Sequence, residues 1–174
     1  MIKDLVLLAV SLLLVGAAIE DMAKLRISNI FPLLVMGLFV AWVAATGWEA
    51  DIWHNGALFL GVFALGCALF ALRWMGGGDV KLLAACALWF DWNAALPWFV
   101  YVTVGGGILA LLIMAGRRLV PRTARAGSSL AIFSASGPIP YGVAIALGTI
   151  MALYMVGPNP SGAARMPEFV KPLR

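Results

Sequence analysis

Six apolar runs, at residues 2–19, 30–46, 55–72, 80–90, 97–115 and 139–156, fill most of this chain. Most of them are long enough to cross a bilayer hydrocarbon core of about 30 Å. A soluble domain of 174 residues has to keep a large polar surface, whereas here 63% of the residues are hydrophobic and 11% charged. The expected fold class is therefore all-α, a polytopic membrane helix bundle of about six transmembrane helices. One domain is expected over residues 1–157, with a tail over 158–174 marked by Pro158, Pro160, Pro167 and Pro172. The first run has the outline of a signal peptide, but its start is balanced by Lys3 and Asp4, and we read it as the first span.

The placement of charge supports this map. The joints at 20–29, 73–79 and 116–138, with the start of the fourth run, hold Lys24, Arg26, Arg73, Lys81, Arg117, Arg118, Arg122 and Arg125. The joints at 47–54 and 91–96 hold only Glu49, Asp51 and Asp91. Short loops rich in Lys and Arg stay on the cytoplasmic side, so the N-terminus is expected outside and the odd-numbered joints inside. The net charge of +4 thus reflects topology, and no basic stripe with interleaved aromatics suggests nucleic acid. The fourth run is short, because eleven helical residues rise only about 16 Å. A re-entrant segment there would put four arginines on the wrong side, so it is expected to span, with local bilayer thinning.

Other features carry no chemistry. Cys67 and Cys86 lie in apolar runs without CxxC spacing or a His partner, and are expected as small buried hydrophobes, so neither zinc nor another cofactor is expected. Trp42, Trp48, Trp53, Trp74, Trp89, Trp92 and Trp98 lie mostly near run ends, as an interfacial aromatic belt does. Gly105, Gly106 and Gly107, with Gly142, Ala146 and Ala152, offer small faces for close helix packing.

Of the eight acidic residues, Asp4, Glu49, Asp51, Asp91 and Glu168 fall where water solvates them. Glu20, Asp21 and Asp79 instead meet one membrane face, where an ionisable group is costly to keep. A lone Asp21 has a simpler reading as the partner of Lys24 or Arg26. Asp79 follows Gly76, Gly77 and Gly78, whose missing side chains let another backbone approach. Two carboxyls at one site share a proton: one activates water and the other polarises a peptide carbonyl. Ser11, Ser28, Ser128 and Cys86 have no base, because the single histidine, His54, falls at the opposite face.

The segment Gly76-Gly77-Gly78-Asp79-Val80-Lys81-Leu82 resembles the second catalytic motif of the type IV prepilin peptidases, the GxGD membrane aspartyl proteases. Asp21-Met22-Ala23-Lys24-Leu25-Arg26-Ile27-Ser28-Asn29 resembles the first, and Pro140-Tyr141-Gly142-Val143-Ala144-Ile145-Ala146 a third stretch in the last helix. The resemblance implies catalysis by Asp21 and Asp79, with Gly76, Gly77, Gly78, Lys81, Arg26 and Asn29 as motif residues, the last three anchoring and capping. It implies an aspartic endopeptidase of the inner membrane that removes the short cytoplasmic leader of a pilin precursor. The chain lacks the zinc-binding CxxC insert of the long members, so it resembles the short branch serving Flp or tight-adherence pili, and methyltransfer is not expected. An archaeal-type preflagellin peptidase is the nearest variant. A proton-coupled membrane carrier is the rival from another class; it predicts acids near mid-membrane and a pseudo-repeat, and the sequence has neither.

Overall fold

The computed structural model describes residues 2–47, 50–119 and 140–158. Trp48, Glu49, Arg122, Arg125, Ser128, Glu168 and the tail from residue 159 onward lie outside the described residues. Among the described residues the chain is all-helical: α1 (Ile2–Lys24), α2 (Ile30–Thr46), a 3-10 turn (Ala50–Ile52), α3 (Trp53–Ala71), α4 (Gly77–Ala87), α5 (Trp92–Leu119) and α6 (Tyr141–Met155).

Apolarity and helix boundaries coincide for α2 but not elsewhere, because local hydrogen bonds decide where a helix starts and stops. The first helix runs past the apolar stretch to Lys24 and closes when Leu25 turns to a φ of 52° while its N–H still donates to the Asp21 carbonyl. At the end of α3, the N–H of Trp74 reaches the Leu69 carbonyl and that of Arg73 the Phe70 carbonyl, a Schellman closure with Arg73 at φ 61° where glycine is usual. The fifth helix begins at Trp92, five residues before the apolar run. There the Asp91 carboxylate accepts the Ala94 N–H at 2.8 Å and caps the helix. Asp91 is buried by this role rather than solvated as the sequence suggested.

Among the described residues three helices are long and apolar enough to cross a membrane: Asp4–Lys24, Trp53–Ala71 and Trp92–Ala115. Ile30–Thr46 and Tyr141–Met155 are apolar but shorter. The helix α4 is shortest of all, and its setting explains why it tolerates that length. Leu82, Ala85, Cys86 and Ala87 are fully buried, and α4 packs against α2, α3 and α6, so its length need not match lipid. Lipid contact falls to the outer helices, where Leu60 and Leu65 of α3 and Ile108, Leu111 and Leu112 of α5 are exposed. Such broad apolar surface is stable only when a bilayer covers it.

The inner layer also corrects two expectations. Trp42, Trp89 and Trp98 are core residues, not belt residues: Trp89 sits edge-on to both Phe39 and Trp42, and the Trp98 indole N–H donates to Thr149 Oγ1 at 3.0 Å. Trp53, Trp74 and Trp92 remain exposed. Of the cysteines, Cys86 is buried but Cys67 lies exposed on α3. Close packing of α5 on α6 rests on Gly148, where a side chain would run into the backbone of Val102, while Gly105 and Gly107 face open space.

Connectivity places the ends. The C-terminus of α1, the N-terminus of α2, the turn between α3 and α4, and the N-terminus of α6 share one end of the bundle. Asp21 and Asp79 therefore lie at the same end, and His54, at the start of α3, lies at the other.

Candidate active site

Asp21 stands in the last full turn of α1 and is 4% exposed. Its Oδ2 accepts the N–H of Gly142 at 2.8 Å. Gly142 is the second residue of α6, so the carboxylate meets the positive end of a helix dipole and one of its free N–H groups. A Cβ on Gly142 would lie 2.8 Å from that same Oδ2 and 2.6 Å from Ile27 Cδ1, so any side chain there forces Ile27 or Asp21 to shift. The sequence reading treated Gly142 as helix packing and missed this bond. Its local signal, a Pro-Tyr-Gly start to an apolar helix, does not say which carboxylate it meets.

Asp79 occupies the first turn of α4. Gly76 precedes the helix in extended conformation, and a Cβ there would come within 2.8 Å of Asp79 Oδ2. Gly78 allows the closest approach of another segment, because a Cβ on it would meet the Cβ, O and N of Ile27 at 3.1–3.3 Å. The Leu25–Asn29 turn thus rests its backbone on Gly78 and its Ile27 side chain against the glycine that holds Asp21. Among the described residues Asp79 Oδ1 is buried with no hydrogen-bond partner.

The pair opens on two sides. A cleft of about 700 Å³ is lined by Asp21, Arg26, Asn29, Gly76, Gly77, Gly78, Asp79 and Lys81, so all eight site residues expected from sequence converge. A second hollow of about 530 Å³ shares both aspartates and continues to Phe70, Trp74 and Tyr141. Lys81 Nζ donates to Asn29 Oδ1 at 2.9 Å and ties α4 to the start of α2. Asn29 makes no side-chain cap of α2, contrary to the expected capping role, because its carbonyl oxygen serves Lys81 instead. Glu20 accepts the Ser28 N–H and pairs with Lys24, each at 2.9 Å, so Lys24 is the partner of Glu20 and not of Asp21. Among the described residues no three His, Cys, Asp or Glu side chains converge as a metal site.

Chemically, a buried and a half-buried carboxyl, with one buried oxygen unpartnered among the described residues, line the same two clefts. Neither the curated proteins nor the solved structures give a match. The profile of the type IV leader peptidase family matches residues 7–111, a stretch that contains Asp21, the Leu25–Asn29 turn, the glycines and Asp79, and stops short of Gly142. An all-helical membrane protein whose matched stretch runs through both aspartates and covers more than half its length, the chain belongs to the type IV leader peptidase family.

Proposed function

We propose that this protein is a prepilin leader peptidase in which Asp21 and Asp79 form the catalytic pair. The observation that carries the reading is their convergence: two acids 58 positions apart in the chain (79 − 21) meet in one cleft, with Asp79 Oδ1 buried and unpartnered among the described residues. Two carboxyls so placed share a proton at low cost and do not both ionise. The ionised one takes a proton from water, whose oxygen attacks the scissile carbonyl carbon, while the protonated one donates to the carbonyl oxygen. The gem-diol intermediate then collapses: the C–N bond breaks, the first carboxyl gives its proton to the departing amine, and the second carboxylate takes back the proton from the hydroxyl that becomes C=O.

The substrate in this reading is a pilin precursor of the Flp or tight-adherence class, with its apolar helix in the bilayer and its leader in the cytoplasm. Arg26, Asn29 and Lys81 fix the rim of the cleft, and Gly76, Gly77 and Gly78 leave room for an extended leader beside Asp79. The charge parity of the loops puts this end of the bundle at the cytoplasmic face of the inner membrane and the N-terminus outside. Residues 1–157 act as one protease domain.

Incubating the purified protein with a membrane-embedded pilin precursor tests the proposal. Release of the leader at a single bond is the expected result. Proton uptake into vesicles without cleavage would instead favour the carrier.

A further inference from the structure

We infer that Glu20 is a positioning residue, whose carboxylate clamps the turn that spaces the two aspartates. This rests on the peptidase reading of the site. The Leu25–Asn29 turn touches both halves of the pair: Ile27 lies against Gly78, next to Asp79, and against Gly142, which holds Asp21. A turn in that place transmits any shift of a few tenths of an ångström to both carboxyls. Its own bonds are weak, since the Phe31 N–H reaches the Ser28 carbonyl at 3.3 Å and the Ile30 N–H reaches Ser28 Oγ at 3.5 Å. The turn's ends are tied by the Leu25 N–H on the Asp21 carbonyl at 2.8 Å and by Lys81 Nζ on Asn29 Oδ1 at 2.9 Å, and between those ends the short bond is the one from the Ser28 N–H to Glu20 Oε2, at 2.9 Å across eight residues.

Both Glu20 oxygens are occupied, Oε1 by Lys24 Nζ and Oε2 by the Ser28 amide. Glu20 therefore acts through the turn rather than on substrate. The Lys24 pair is a surface contact between residues one helical turn apart, with the lysine 68% exposed, and such pairs contribute little. The function of Glu20 is accordingly one of reach rather than charge.

Two substitutions separate reach from charge. Glu20→Gln keeps an amide oxygen at the distance of Oε2 and loses the charge; Glu20→Asp keeps the charge and is one methylene too short for Ser28. On a precursor substrate, Glu20→Gln should stay within about tenfold of wild type, whereas Glu20→Asp and Glu20→Ala should lose about 100-fold in kcat, the scale of an ångström misplacement. KM should change little in all three. Hydrogen exchange across residues 25–31 should quicken in Glu20→Asp and Glu20→Ala and match wild type in Glu20→Gln. The reverse order, with Glu20→Asp active and Glu20→Gln impaired, or unchanged exchange in Glu20→Asp, would overturn the clamp. If the wild-type protein cleaves no precursor, the peptidase reading fails, and the exchange measurement alone decides the role of Glu20.

Discussion

Gly142 contributes two things to Asp21, a backbone donor and an absent side chain, and only the second is open to mutation. Alanine there keeps the N–H but puts a methyl group where Asp21 Oδ2 and Ile27 Cδ1 already lie. Overpacking of this kind costs about 1–3 kcal/mol, partly offset by the better helix propensity of alanine. Gly142→Ala should therefore insert and fold, yet lose at least about tenfold in kcat/KM, since 1.4 kcal/mol of lost positioning is a factor of ten. Wild-type cleavage by Gly142→Ala would mean that the Asp21 contact with α6 is incidental. At this scale the sequence was legible where chemistry is rare: Asp21 and Asp79 stand out because carboxylates in an apolar chain need a reason. The Gly142 contact joins residues 121 apart, and the Glu20 bond ends on a backbone amide that has no sequence signature. Neither was visible before the helices were packed.

The elements show the same division between composition and contact. Apolar runs located every α-helix among the described residues, because lipid and core both select apolar residues. They misplaced the starts of α4 and α5, because the helix ladder is set by Gly76 and by the Asp91 cap. They also gave no sign that α4 is the inner helix, shielded from lipid by its neighbours. Its far end needs special support, since the carbonyls after Ala87 have no helical partner. Asn55 of α3 supplies it, with Nδ2 donating to Leu88 O at 2.9 Å and to Phe90 O at 3.0 Å. Asn55→Leu would strand both buried acceptors, at about 1–3 kcal/mol each. The variant should denature at clearly lower temperature in detergent. A melting curve that overlays wild type would show that water or another donor already serves those carbonyls.

For the whole molecule, the central proposals are an orientation and a paired chemistry. With Cys67 and Cys86 replaced, Asp51→Cys, exposed at the end away from the aspartates, should react with an impermeant thiol reagent added to intact cells. Trp74→Cys, exposed at the aspartate end, should react only after the membrane is opened. The opposite labelling would place the cleft on the outer face and remove a cytoplasmic leader as substrate. The most direct test of the account is precursor cleavage by purified Asp21→Asn, Asp79→Asn and the double variant, beside an Asp51→Asn control. Asparagine preserves size and hydrogen bonding but cannot exchange the proton, so each single variant should lose roughly 10³-fold or more, within the range general acid–base catalysis supplies. Because groups acting as a unit are strongly non-additive, the double variant should be scarcely slower than either single one. Cleavage at the wild-type rate by Asp79→Asn, or a double variant slower by the product of the two single losses, would contradict a shared-proton pair.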